Sequence, residues 1–190
     1  MSLMNFNVSK ASPNCGAFVD GINLGEDLSA DAIAELRTAL GEHGVLFFRE
    51  QNIEPSHHIA LAEKFGGVNI NRFFAHVDGW PQIAEVRKEP DQKANIGGGW
   101  HTDHSYDQIP ALGSILVARE TPSMGGDTIF SSQFAAYAAL SDGLKEMLED
   151  LKAVHSSRHV FGKSARYKER GEDLGGRLGP GGGRHPDGDP

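Results

Sequence analysis

Two residues in the middle of the chain, His101 and Asp103, are of types that bind metal ions in proteins. On an extended segment, side chains at positions i and i+2 point to the same face. An imidazole nitrogen and a carboxylate oxygen can then bind one cation from adjacent positions. Two histidines and one carboxylate on one side of Fe(II) form a facial triad, which leaves the opposite side of the metal open. The spacing therefore predicts two of three ligands.

The His-x-Asp pattern occurs three times, so the pattern alone is weak. In the copy at 76–78, Asp78 is followed by Gly79, a pair that is typical of a turn. The copy at 185–187 lies in a segment rich in Gly and Pro. Only the copy at 101–103 follows a glycine run, at 97–99, and has aromatic residues on both sides. A structural hydrogen-bonded pair is the alternative for these two side chains, and the surrounding sequence favours the metal site.

The remaining histidines and Trp100 receive structural interpretations. His104 would lie on the opposite face of the extended segment. His43, His57 and His58 lie near helix ends, where capping and solvent exposure fit them better than metal binding. Trp100 is expected to be a core anchor rather than a substrate platform.

The elements before this segment are predicted from periodicity and from helix-ending residues. Two short strands are expected between Asn5 and Leu24, one of them over 17–22. A helix capped by Ser29 should end at Gly41 and Gly44, and a buried strand should follow at 45–48. Pro55 opens a second helix that ends at 66–67. Their apolar faces comprise Ile33, Leu36 and Leu40 in the first helix and Ile59, Ala62 and Phe65 in the second.

Further strands are predicted over 83–86, 114–118 and 128–131, the last after the glycine turn at 125–126. Ser141 begins another helix, which runs through Leu151. Sequence spacing alone thus indicates a mixture of α and β structure. The residues from 171 to 190 contain eight glycines and three prolines, which predicts a disordered tail after a domain spanning 1–170.

Composition narrows the class of partner. A net charge of −8 disfavours nucleic acid and anionic membranes as partners, so a small molecule fits better. The single cysteine, Cys15, excludes an intramolecular disulfide and suits a reducing compartment. The N-terminus has no pattern of a secretory signal, and no apolar run approaches the ~20 residues of a membrane span. We expect a cytoplasmic protein.

Several blocks in a fixed order resemble the taurine dioxygenase family of Fe(II)/2-oxoglutarate oxygenases. The blocks are Trp-His-Thr-Asp at 100–103, Pro-Ala at 110–111 leading into 113–118, Gly-Gly-Asp-Thr at 125–128 and the helical segment at 135–141. Supporting matches occur at 43–49 and 62–66, and the similarity extends from about Phe18 to Gly162.

The resemblance implies an α+β fold: an incomplete double-stranded β-helix, or jelly roll, with helices packed on one side. It implies that His101 and Asp103 are iron ligands and that Thr128 hydrogen-bonds the co-substrate. Fe(II) would be the cofactor, and 2-oxoglutarate and O2 the co-substrates. No further catalytic residue is implied.

Three features depart from the family pattern. The family's second iron histidine and the arginine that binds 2-oxoglutarate lie on segments beyond residue 190. His155 and His159 are the other candidate ligands near enough in sequence, and both are expected to be ordinary strand or lid residues. Taurine-type members carry His and Tyr where this chain has Asn71 and Phe74, which disfavours taurine as the substrate. Asn95 is a further candidate substrate contact.

These features support a dioxygenase that hydroxylates a small, anionic organic molecule. The alternative is an inactive truncated fragment or a non-catalytic domain. Because an unfinished sheet exposes strand edges, such a domain would self-associate, and a homo-oligomer is therefore possible.

Overall fold

The computed structural model describes residues 6–71, 74–92 and 97–156 of the 190-residue chain. They form two compact units. The described residues of the first unit fall within 1–66 and 115–152, and those of the second within 67–114 and 153–190. Helices and strands both occur, so the predicted mixture of α and β structure is confirmed, while the jelly roll stays a prediction. The predicted tail at 171–190 lies outside the described residues.

The first unit contains a three-stranded sheet. Strand β1 (Asn7–Lys10) pairs antiparallel with β2 (Ala17–Asp20), which pairs in parallel with β3 (Leu46–Phe47). The two predicted N-terminal strands are therefore confirmed. The strand predicted at 45–48 is shorter and only half-buried, because β3 is an edge strand in the order β1-β2-β3.

Helix α1 (Ala30–His43) has the predicted start. The Ser29 hydroxyl accepts a hydrogen bond from the backbone N–H of Ala32 at 3.2 Å. Gly41 was expected to end the helix but lies inside it, and the end falls at Gly44, where φ is 75°. A left-handed residue satisfies the last carbonyls of a helix, and glycine adopts that conformation without strain.

Helix α2 (Pro55–Lys64) also starts as predicted, with proline at its first turn and Phe65 as its C-cap. One of the two buried clusters joins both helices and the loops between them, and the other lies between α1 and the sheet. The buried side chains are Leu24, Ile33, Ile53 and Leu61 in the first cluster, and Phe6, Val19 and Leu36 in the second.

The later part of the first unit has two short helices, α3 (Gln133–Ala138) and α4 (Asp142–Glu149). Ser132 and Ser141 cap them, so the predicted start of α4 is confirmed, although the helix ends before Leu151. The strands predicted at 114–118 and 128–131 are wrong: within the described residues, neither segment has a strand assignment.

The second unit contains a hairpin. Strand β4 (His76–Val77) pairs antiparallel with β5 (Trp80–Ala84) across the predicted turn at 78–79, where Gly79 has φ of 76°. The strand predicted over 83–86 is therefore shifted towards the N-terminus, because the turn sets the register. In the described part of the chain, no helix has the length and apolar character that a membrane crossing requires.

Candidate metal centre

His101 and Asp103 come together in the second unit. Nε2 of His101 lies 3.2 Å from Oδ1 of Asp103, and both side chains are more than half exposed, at 55% and 59%. Two ligand atoms bound at right angles with bonds of about 2.1 Å lie about 3 Å apart. The measured separation therefore fits two adjacent ligands of one cation.

The backbone before His101 determines which nitrogen can bind the cation. Nδ1 of His101 lies 2.8 Å from the Gly99 carbonyl oxygen, which can only accept a hydrogen bond, so Nδ1 must carry a proton. In the neutral ring, Nε2 then presents its lone pair towards the Asp103 carboxylate. Two such electron-rich atoms repel each other unless a proton or a metal ion lies between them. The 3.2 Å contact therefore fits a proton or a metal ion between the two atoms.

Gly97 makes room for the His101 ring. Its φ is 68°, and a Cβ atom at this position would lie 3.1 Å from Cε1 of His101. A side chain would be strained by the backbone conformation and crowded by the ring. The glycine run is thus part of the site's local structure.

The extended segment ends earlier than predicted. A turn begins at Asp103, and His104 has φ of 55°. The expectation that His104 lies on the opposite face of a strand is therefore wrong. Instead, Nδ1 of His104 lies 2.9 Å from Oδ2 of Asp107, a short-range pair that stabilises the turn.

The second carboxylate oxygen of Asp103 has its own partner. The hydroxyl of Ser114 donates a hydrogen bond to Oδ2 of Asp103 at 3.2 Å. The sequence analysis missed this contact, because ten intervening residues separate the two positions and only the folded loop brings them together.

A third ligand does not join this pair among the described residues, since no group of three His, Cys, Asp or Glu side chains there could hold a metal. His155 belongs to the same unit and is exposed. His159 lies outside the described residues.

The other predicted site residues are distributed over both units. Thr128 belongs to the first unit and is exposed. Gly125 and Gly126 have φ values of 79° and 74°, but the backbone bends at 123–124, so the turn predicted at 125–126 lies earlier than expected. In the second unit, Oδ1 of Asn71 accepts a hydrogen bond from the backbone N–H of Phe74 at 3.2 Å. Asn95 lies outside the described residues.

Two structural interpretations fail. Trp100 is 74% exposed rather than a core anchor. His58 is half-buried rather than exposed, and its Nε2 lies 3.0 Å from the Ile115 carbonyl oxygen. Burial lowers the pKa of His58, nearby Arg119 lowers it further, and the bond to Ile115 partly opposes this shift. Its spacing of three residues from Leu61 on α2 was the available sign of burial.

The sequence matches the family described as "Taurine catabolism dioxygenase TauD, TfdA family" over residues 7–187. A sulfonate dioxygenase of Saccharomyces cerevisiae, named as α-ketoglutarate-dependent, is 32% identical, covering 84% of this chain and 41% of the relative. The (S)-phenoxypropionate/α-ketoglutarate dioxygenase of Sphingobium herbicidovorans is 32% identical, covering 83% of this chain and 56% of the relative.

Solved structures agree with this assignment. A taurine dioxygenase from Burkholderia xenovorans has a TM-score of 0.68 and 31% identity, covering 77% of this chain and 51% of the other. The structure of AAD-2 with Mn(II) and N-oxalylglycine has a TM-score of 0.61 and 27% identity, covering 78% of this chain and 51% of the other.

The fold and the candidate site thus define a relative of the 2-oxoglutarate-dependent dioxygenases. The chain belongs to the taurine catabolism dioxygenase TauD, TfdA family. It spans about half the length of the curated relatives it matches.

Proposed function

We propose that this chain contributes two iron ligands, His101 and Asp103, to an Fe(II)/2-oxoglutarate-dependent dioxygenase with a jelly-roll core. The observation that carries the proposal is the 3.2 Å separation of Nε2 and Oδ1, together with the Gly99 carbonyl at Nδ1. These donors suit a facial site. The structure neighbour with Mn(II) supports a divalent metal in this type of fold.

His101, Asp103 and Thr128 would have different roles in the proposed site. His101 supplies a neutral nitrogen held in one tautomer, and Asp103 supplies a negative charge that partly neutralises the cation. Thr128 would donate its hydroxyl hydrogen bond to a carboxylate of 2-oxoglutarate, as the resemblance implies. Bound iron, with 2-oxoglutarate and O2, would supply the oxidising chemistry for hydroxylation.

The proposed substrate is a small organic anion other than taurine. Relatives are named for a sulfonate and for phenoxypropionate, which are both anionic. Asn71 and Phe74 stand where the resemblance places the His and Tyr of taurine-type members, and a hydrogen bond joins them. Together with Asn95, they are the proposed substrate contacts. Relatives named as dioxygenases do not favour the non-catalytic, self-associating alternative.

The metal site is tested by calorimetric titration of the chain with Mn(II) or Fe(II) under argon. We expect weak binding that His101→Ala and Asp103→Ala each abolish. His43→Gln, which removes an imidazole from the last turn of α1, is the control and should bind as the unaltered chain does. Unchanged affinity in both site variants would contradict the assignment.

Co-substrate binding is tested separately. Thr128→Val removes the hydroxyl and keeps the branched shape, so we expect weaker binding of 2-oxoglutarate to the Mn(II)-loaded chain with unchanged Mn(II) affinity. Equal 2-oxoglutarate binding by both proteins would remove Thr128 from the proposed site.

A further inference from the structure

We infer that Ser114 is a positioning residue for the metal ligand Asp103. The inference rests on the proposed function and concerns how its carboxylate ligand is oriented. The starting observation is that the two oxygens of Asp103 face different partners. Oδ1 lies 3.2 Å from Nε2 of His101, and Oδ2 accepts the hydroxyl hydrogen bond of Ser114 at the same distance.

The direction of the Ser114 bond follows from the chemistry of its partners. An ionised carboxylate only accepts hydrogen bonds, so the serine hydroxyl must be the donor. A bond to a charged acceptor is stronger than one between neutral groups. At 3.2 Å it is longer than the ~2.7 Å typical of O–H···O bonds, so it is weaker than a short bond of this type, and it restrains the one carboxylate oxygen that it contacts.

Orientation matters at this position because both ligands are exposed. The Asp103 side chain is 59% exposed, so packing does little to restrict rotation of its carboxylate. With Oδ2 accepting the hydrogen bond of Ser114, Oδ1 would be the oxygen that faces a bound cation, so Asp103 would bind it through one oxygen. A freely rotating carboxylate could bind through both oxygens and occupy one of the positions that a facial site must keep open.

The hydrogen bond from Ser114 also connects two residues that are distant in sequence. It lies at the far end of the loop that begins with the turn at Asp103, and both residues belong to the second unit. The bond therefore closes the loop at the metal ligand. The Gly99 carbonyl holds His101 in the same way, so each predicted ligand has one protein group that fixes its orientation.

The test is Mn(II) affinity measured by calorimetry on the full chain, with thermal unfolding measured in the absence of metal. Two variants test the hydroxyl group: Ser114→Thr keeps it, and Ser114→Val replaces it with a methyl group in a side chain of the same shape as threonine. We expect Ser114→Val and Ser114→Ala to bind Mn(II) about tenfold or more weakly, the usual loss for a group that orients a ligand. Ser114→Thr should retain the affinity.

Ser105→Ala is the matched control, because it removes a hydroxyl from the turn just after Asp103. A purely structural role for Ser114 would lower the unfolding temperature of metal-free Ser114→Val and leave Mn(II) affinity equal in the Thr and Val variants. That result would overturn the inference. If His101→Ala abolishes Mn(II) binding and Ser114→Ala leaves it unchanged, the inference about Ser114 is wrong and the proposed metal site stands. Absence of Mn(II) binding by the unaltered chain would overturn it together with the proposed function.

Discussion

Residues 6–66 and residues 67–156 use their apolar side chains in opposite ways. Among the described residues, every buried hydrophobic side chain lies between Phe6 and Leu61, whereas the large exposed ones lie between Ile70 and Val154. The first region has helices and paired strands that cover one another. The second carries the candidate metal ligands on turns and extended segments. The core and the candidate chemistry thus occupy different stretches of the chain.

The segment 114–118 shows what separates the two regions. Its side chains alternate as a strand would require: Ile115 and Val117 are half-buried against the first core cluster, and Leu116 is 72% exposed. The segment nevertheless has no strand assignment. Alternation depends on local backbone conformation, whereas a strand also requires a hydrogen-bonded neighbour. At this segment, the alternating pattern alone is therefore not sufficient to form a strand.

The largest expected effect is on the core of the first region. Leu36 is fully buried, so Leu36→Ala should lower the free energy of unfolding by about 2–5 kcal/mol through lost contacts and a cavity. Leu116→Ala removes the same atoms from an exposed position and should change it by less than about 0.5 kcal/mol. Urea unfolding followed by circular dichroism measures both, and equal losses would erase the contrast between the regions.

A smaller effect is expected in the second region, at the glycine run. Gly97→Ala should cost about 1–2 kcal/mol of backbone strain at its left-handed φ and push the new methyl against the His101 ring. We expect reduced Mn(II) affinity, and the strain should lower the free energy of unfolding by about the same 1–2 kcal/mol. Gly99→Ala is the control, because nothing lies within 4 Å of its added Cβ. Similar Mn(II) affinity in the two variants would show that Gly97 does not shape the site.

The two helix caps Ser29 and Ser132 offer a matched comparison, since each hydroxyl accepts a backbone hydrogen bond at 3.2 Å. Ser29→Ala should destabilise the protein by about 1 kcal/mol, because α1 carries buried core residues. Ser132→Ala should have a smaller effect on global unfolding, because α3 buries no side chain and can unfold locally. Chemical denaturation measures both. A larger loss for Ser132→Ala would mean that α3 is part of the cooperative core.

The smallest expected effect is a pH dependence at His58. Burial holds the pKa of His58 in the folded protein below its ordinary value of 6.5. At a pH between the folded pKa and 6.5, the unfolded chain therefore binds a proton more readily than the folded protein does. The contribution to stability is complete above pH 6.5 and is lost as the pH falls below it. His58→Gln should therefore flatten the change in unfolding free energy between pH 7.5 and 5.5. His57→Gln, at the adjacent exposed histidine, should leave that change as it is.

The sequence by itself determined the features that depend on neighbouring residues. The predicted features include both N-terminal strands, the capped starts of α1 and α4, the proline start of α2 and the turn at 78–79. They could be predicted because capping, proline geometry and side-chain periodicity act within a few residues. The pairing of His101 with Asp103 could also be predicted, because only one residue separates them.

Tertiary structure decided what depends on contacts between distant residues. A strand at 114–118 or 128–131 would need a hydrogen-bonded neighbour, and neither of these described segments has a strand assignment. The burial of His58 depends on Ile115, and the orientation of Asp103 depends on Ser114, each of them distant in sequence. Such contacts form when the loss of chain entropy in closing a loop is offset by the packing of the whole fold, and periodicity does not record that balance. For this reason the candidate metal-ligand pair could be predicted from the sequence, whereas the Ser114 hydroxyl that contacts its carboxylate could be identified only from the fold.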